Sequence, residues 1–276
     1  MSISIGALYF YPLKSCRGIQ LTEAIVNRMG IQYDRQWTII DEHGMFVAQR
    51  AGSAGIGVEV PSLCLIDTAI DGDTLRLTAP AMPPLALPLA GRDGRTRAVQ
   101  VWNSHTIGID QGDTAADWVS TFISRERPGR YSIVRMPEHE RRLPKIGEST
   151  LAYADGYPFL MLSSASLSDL NARLAAPLPV NRFRPNIVLD GCAPYEEDAI
   201  DTLTIAGIRF EGMTLCLRCA ITTTDQLTGE RAKEPLRTLA TYRRAPGGVV
   251  FARNYNHFGE GTLRVGDRAS DIGKRP

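Results

Sequence analysis

Two of the five cysteines, Cys216 and Cys219, lie close together in the segment from Thr214 to Asp225. Arg218 sits between them, and Thr222, Thr223 and Thr224 lead on to Asp225. A thiol beside a guanidinium loses its proton more readily, because the thiolate gains a nearby positive charge. A thiolate is a nucleophile and a ligand for soft metals, so this segment is the first candidate for chemistry.

The C-x-x-C spacing has several readings. Structural zinc needs four ligands, usually two such pairs or one pair with histidines. Cys16, Cys64 and Cys192 are isolated, and none of the four histidines is spaced as a partner, which argues against zinc. A thioredoxin-type dithiol sits at a helix N-terminus after a strand. Here the residues after Cys219 are Ile221 and a run of threonines, which read as strand and then turn. Position alone leaves open that both cysteines are small buried hydrophobes.

Much of the chain reads as the scaffold such a segment needs. Its 276 residues, 43% hydrophobic and 22% charged, suffice for a packed core in one large domain or two modest ones. A net charge of +1 gives no general pull toward nucleic acid or anionic membrane, and neither is expected as a partner. The basic clusters at Arg125-Glu126-Arg127 and Glu140-Arg141-Arg142 are broken by acidic residues and read as solvated loops. No run of about 18 apolar residues is present to span a bilayer. The first residues resemble neither a secretory signal nor an Arg-rich transit peptide. Five cysteines without a dense framework fit a reducing cytoplasm.

In chain order, Ile3 to Pro12 reads as an opening strand, and Lys14 to Gly18 as a loop rich in donors. Ala24 to Met29 is a strand ended by Gly30. Trp37–Ile40 and Met45–Ala48 flank a turn, as do Leu65–Ile70 and Thr74–Leu77, giving two hairpins. Residues Ala79 to Ala90 carry four prolines and read as an extended loop. Strands at Ala98–Trp102 and Thr106–Ile109 complete a barrel-like β domain. Asp113 reads as the N-cap of a helix with Ala116, Val119, Ser120 and Ile123 on one face. Pro128-Gly129 marks the best boundary, dividing the chain into domains 1–124 and 125–276.

The second half mixes strands and helices. Tyr131–Arg135, Tyr157–Leu162, Asn186–Leu189, Leu203–Ile205, Ile208–Glu211 and the Thr214 stretch read as strands. Ser164 or Ser166 can cap a helix bearing Leu167, Leu170 and Leu174. Pro235 begins a short helix, and strands at Val249–Phe251 and Leu263–Val265 close the sheet. The three carboxylates of Tyr195-Glu196-Glu197-Asp198 read as a solvated turn, and His257 as structural. Asp225 could orient or cap the turn after the cysteine strand.

The stretch CLRCAITTTDQLTG followed by KEPLRTL resembles the MOSC family, named for the molybdenum-cofactor sulfurase C-terminal domain. The segments YPLKSCRG, DRQW and FVAQR resemble the β-barrel domain that precedes it. In plan the chain is similar to the mitochondrial amidoxime-reducing components and their bacterial relatives, from about Leu8 to Asp267. The mitochondrial relatives carry a membrane anchor ahead of this region, which is not expected here. The resemblance implies a β-rich α/β protein: an N-terminal β-barrel-like domain, then a mixed α/β MOSC domain built on a β-barrel.

It also implies a molybdenum cofactor, a metal on a pyranopterin dithiolene, held by one protein thiolate. By match to the CLRC motif that thiolate is Cys219, the catalytic and metal-ligating residue, with Cys216 a less certain neighbour. The cofactor ends in a phosphate, which calls for ammonium, guanidinium and hydroxyl donors. Matching positions supply Lys14 and Ser15 after the YP of the first strand, Arg35 of the DR pair, Arg184 and Asn186 of the RPN motif, and Arg218. The loop Asp155-Gly156-Tyr157 aligns with another cofactor-facing loop, where hydroxyl residues occur in the amidoxime reducers. Gly156 and Tyr157 depart from that pattern, which puts contacts through backbone amides in prospect.

The implied activity is two-electron reduction of N-hydroxylated compounds such as amidoximes, hydroxylamines and N-hydroxylated bases. A cofactor carrier, or a protein bearing a persulfide on Cys219, is the alternative. No cysteine follows Cys219, so the C-x4-C-x2-C run of a plant-type ferredoxin is not expected, nor is a G-x-G-x-x-G nucleotide turn present. Electrons are therefore expected from a separate flavoprotein or iron–sulfur protein.

Overall fold

The opening strand, Ser4–Phe10, sets the plan of the fold because it leaves the residues that follow it. It pairs antiparallel with Ile187–Asp190 on one side and with Ile19–Leu21 on the other. Ile5, Leu8 and Phe10 are its buried residues, and the change of parity follows from a register shift between Ile5 and Ala7. A bulge turns successive side chains to the other face, so one strand serves both halves of its length.

The chain is seen in a computed structural model that describes residues 2–52, 55–90, 94–144 and 150–274. The sheet begun by Ser4–Phe10 continues through Phe159–Ser163, Gly248–Phe258, Ile208–Leu217, Ile200–Ile205 and Ala269–Lys274. Only Phe159–Ser163 and Ile187–Asp190 pair in parallel within it, and the helix Ser164–Ala172 lies in the crossover that a parallel pair requires. This sheet encloses a core of Ile5, Leu8, Phe159, Met161, Leu203, Phe210 and Tyr255.

A second group of strands forms the barrel-like part. Thr96–Val101, Ser104–Asp110, Tyr131–Arg135 and Trp37–Asp41 make one sheet, and Leu85–Pro88, Thr74–Thr78 and Asp67–Asp71 another. The helix Asp113–Ile123 buries Trp118, Val119 and Phe122 against Trp37, Ile39, Leu75 and Ile133. The protein is thus β-rich, with a barrel-like β part and a mixed sheet, as the sequence implied.

Several local expectations change. Tyr131–Arg135, read with the second half, pairs with Trp37–Asp41 of the first. Only Phe46 of Met45–Ala48 bridges back to Ile40, and Val47–Ala48 instead pairs in parallel with Val58–Glu59. Within the proline-rich stretch, Leu85–Pro88 is an edge strand, where a proline that donates no hydrogen bond is tolerated. The N-cap of the helix Asp113–Ile123 is Gly112, and Ser163 rather than Ser164 or Ser166 caps the helix Ser164–Ala172, accepting from the amides of Ala165 and Ser166. Leu263 lies on the strand Gly261–Arg264, which pairs with Glu23–Asn27. The final strand Ala269–Lys274 has no strong apolar pattern and was not legible.

In each of two polar clusters read as solvated, one residue is in fact buried. Glu197 is fully enclosed and accepts hydrogen bonds from the Ser163 amide (3.1 Å) and the Ser166 hydroxyl (2.8 Å). Its carboxyl pKa is pushed up by burial. Arg142 reaches the carbonyls of Ala152 and Ala154 at 2.5 and 2.9 Å. His257 is structural as expected, its Nε2 donating to the Asn27 carbonyl at 2.8 Å and its ring against Phe159.

Replacing Glu197 with Ala strands the buried donors of Ser163 and Ser166. The expected loss of unfolding free energy is about 1–3 kcal/mol, measured by denaturant titration. An unchanged midpoint would show that the carboxylate stabilises nothing.

Candidate functional site

The cysteine segment leaves the sheet at a fixed point. The strand Ile208–Leu217 ends at Leu217, and the Arg218 amide still donates to Val249 at 2.7 Å. Ala220–Thr223 then winds into a 3-10 turn, so the turn expected after the strand begins earlier than the sequence indicated. The threonines explain why. The Thr222 hydroxyl donates to the Cys219 carbonyl (2.9 Å) and the Thr223 hydroxyl to that of Ala220 (2.8 Å). Such local side-chain bonds compete with strand pairing and stabilise a turn. Asp225 holds the next bend, accepting from the amides of Leu227 and Thr228 and pairing with Arg182 at 2.6 Å.

Arg218 joins this segment to the RPN loop. Its Nη1 donates to Cys216 Sγ (3.0 Å) and its Nη2 to the Phe183 carbonyl (2.8 Å). Cys216 is thereby occupied by Arg218, whereas Cys219 Sγ has no hydrogen bond among the described residues and is half-buried.

The RPN loop is joined in turn to the first strand and the DR loop. Arg184 Nη1 donates to the Cys16 carbonyl at 2.6 Å. Asn186 accepts from Arg35 Nη1 at 3.1 Å and donates to Asp34 Oδ2 at 3.2 Å. Asp34 also pairs with Arg35 and accepts from the Tyr11 amide (2.8 Å). Ser15, Arg35 and Arg184 all have positive φ, at 68°, 49° and 55°. Left-handed backbone at non-glycine residues is uncommon and clusters at functional sites.

Lys14 completes the group. Its ammonium is nearly enclosed, donates to the Tyr153 carbonyl at 2.9 Å and pairs with the half-exposed Asp155 carboxylate. Burial lowers the Lys14 pKa, against the opposing pull of Asp155. For Asp155, burial works upward, but the ammonium and the Trp102 indole N–H hold its pKa well below the usual carboxylate range. Asp155 is therefore the counter-charge of Lys14, a role its expected place among cofactor contacts did not suggest. Gln49 ties the two halves of the chain here, donating to the Ser15 carbonyl (2.6 Å) and meeting Gln226 beyond the cysteine turn.

The structure thus brings Lys14, Ser15, Arg35, Asp155, Arg184, Asn186 and Arg218 into one hydrogen-bonded chain of loops that ends at Cys219. Tyr157 is buried beside Pro158, and its hydroxyl bonds to no described residue. Asp34, Tyr11 and Gln49 were missed as individuals, although each lies within or beside the segments YPLKSCRG, DRQW and FVAQR.

Lys14 and Arg35 have carboxylate partners; Arg184 and Arg218 form no ion pair among the described residues. A site with two guanidiniums free of carboxylates suits a phosphate-bearing ligand. Among the described residues no group of three or more His, Cys, Asp or Glu could hold a metal ion. A metal at Cys219 would therefore need further donors from a cofactor, and a dithiolene supplies soft ones. The residues fit such a group. Two surface cavities of about 470 and 540 Å³ are lined by other residues, Arg97 and Asp110 in one and Glu196 and Lys274 in the other. No helix among the described residues is long and apolar enough to cross a membrane.

The chain is similar to known proteins over nearly its whole length. Residues 2–126 match the MOSC N-terminal beta barrel domain and residues 148–270 the MOSC domain. The chain is 35% identical to mitochondrial amidoxime-reducing component 1 of Homo sapiens, over 98% of its own length and 83% of that protein. It is 32% identical to mitochondrial amidoxime reducing component 2 of Homo sapiens, over 96% and 82%.

The five cysteines differ in access, which gives a direct check. Burial pushes the Cys64 thiol up to about 11 and Cys192 to about 12, and Cys16 is raised further still. In cofactor-free protein at neutral pH, iodoacetamide should modify Cys216 and Cys219 at least about tenfold faster than the other three, read by peptide mass spectrometry. Faster modification of Cys16 or Cys64 would contradict the arrangement of the loops.

Proposed function

Because the chain belongs to the amidoxime-reducing component family of MOSC-domain proteins, we propose that it is a molybdenum-cofactor-dependent reductase of N-hydroxylated compounds. The observation that carries this reading is the joining of the Cys219 turn, through Arg218 and the Phe183 carbonyl, to the loops bearing Arg184, Arg35 and Lys14. One thiolate for the metal and a cluster of cations for the phosphate are what that cofactor demands.

In this reading Cys219 is the metal ligand. Lys14, Arg35, Arg184 and Arg218 receive the anionic cofactor, with Ser15 and Asn186 as neutral donors. Asp34 and Asp155 fix Arg35 and Lys14 rather than touch the phosphate, since a carboxylate repels it. Bound there, the cofactor supplies the two-electron redox chemistry that the protein's own side chains lack. The overall change takes R–NH–OH, two electrons and two protons to R–NH2 and water. The 3-10 turn holds the Cys219 backbone through its carbonyl, which would limit the reach of a thiolate ligand there. Arg218, fixed between Phe183 and Cys216, keeps a positive charge beside the reacting region. The electrons come from a separate flavoprotein or iron–sulfur protein, and the five free thiols suit a reducing cytoplasmic setting.

With a reduced viologen as donor and benzamidoxime as substrate, the protein should turn over, and NADH alone should not replace the viologen. Cys219→Ser should abolish turnover, because a neutral hydroxyl cannot replace a soft thiolate. Cys216→Ser should be far milder. Equal loss in both variants would point instead to a working dithiol, and full activity in Cys219→Ser would refute the assignment.

A further inference from the structure

Tyr11 has no place in the reaction as described, yet the two arginine-bearing loops meet on it. The Arg35 guanidinium carbon lies 4.4 Å from the centre of its ring and that of Arg184 lies 4.1 Å away. The ring is almost wholly buried. Its hydroxyl donates to the Pro185 carbonyl at 2.9 Å, beside Arg184, and its carbonyl accepts from the Arg35 amide at 2.8 Å. Its own amide donates to Asp34. Tyr11 is thus tied through main chain, hydroxyl and ring to both loops. Gly18 packs so closely on the ring that an added Cβ would stand 2.3 Å from Cε1.

Two like charges held over one ring need an explanation. Burial works first against the charge on Arg184, and the neighbouring Arg35 adds to it. Asp34 already pairs with Arg35, but no carboxylate among the described residues pairs with Arg184, where one would repel an incoming anion. An aromatic face attracts cations through its quadrupole without itself taking up the donor edge of a guanidinium. The phenol itself stays neutral, since burial raises its pKa.

We propose that Tyr11 is a positioning residue of the anion cradle: its ring is the common platform that keeps Arg35 and Arg184 charged, close and turned toward one phosphate. This rests on the proposed function above, in which that phosphate belongs to the pterin. Gly18 is required because any side chain there displaces the platform.

The experiment measures pterin release, by fluorescence after oxidation, from protein loaded in a cofactor-competent host. Tyr11→Leu keeps bulk and removes the π face, and should release pterin on the order of tenfold faster than wild type. Tyr11→Phe restores the π face without the hydroxyl, and should bring release back to within about twofold of wild type. Gly18→Ala displaces the ring without deleting it and should also speed release, which keeps the test open if Tyr11→Leu fails to fold. Wild-type release in Tyr11→Leu or Gly18→Ala overturns the proposal. So does a Tyr11→Phe variant as leaky as Tyr11→Leu, because the hydroxyl would then be the important group. Wild-type protein that carries no pterin at all overturns the functional reading itself, a result distinct from these.

Discussion

Positive charge gathered out of water is the constraint on which this structure depends. Removing an ammonium or guanidinium from solvent costs several kcal/mol unless carbonyls, carboxylates or aromatic faces replace the water. Each cation of the group has a different replacement. Lys14 has Asp155 and the Tyr153 carbonyl, and Arg35 has Asp34 and Asn186. Arg184 has the Cys16 carbonyl and the Tyr11 ring, and Arg218 the Phe183 carbonyl and the Cys216 sulfur. Apart from Asp34 and Cys216, these partners come from distant parts of the chain, so the cluster can form only in the finished fold.

That requirement gives the chain's crossing path a purpose. The opening strand joins the sheet that carries Cys219, while Trp37–Asp41 and Tyr131–Arg135 pair within the barrel part. The loop between, with Lys14 and Ser15, is consequently held from both sides: the Lys14 amide donates to Trp37 and the Ser15 carbonyl accepts from Gln49. Arg182 and Asp225 fasten the RPN side to the cysteine turn in the same manner. A site built where loops of both parts interlock is stiffer than loops alone would allow.

The sequence made strands legible where apolar residues alternate between turns, as in Asp67–Asp71 and Thr74–Thr78. It failed where tertiary partners decide. Glu197 reads as solvent-facing from its acidic neighbours, and only the spatial approach of Ser163 and Ser166 makes a buried acceptor profitable. The threonines after Cys219 look β-favouring, but their hydroxyls bond their own backbone. Motif matching picked out Lys14, Arg35, Arg184 and Arg218, which the fold draws into one network. It set Asp155 among cofactor contacts and passed over Asp34, because their pairing with Lys14 and Arg35 depends on which charges meet in space.

In the proposed function one half-buried thiol and a set of cations together hold a molybdenum cofactor. The most direct measurement is molybdenum and released pterin per chain, in protein made by a host that synthesises the cofactor. The account predicts nearly one of each per chain in wild type, and loss of the metal in Cys219→Ser. Wild-type protein with pterin but no molybdenum, or with a persulfide on Cys219 and neither, would contradict it.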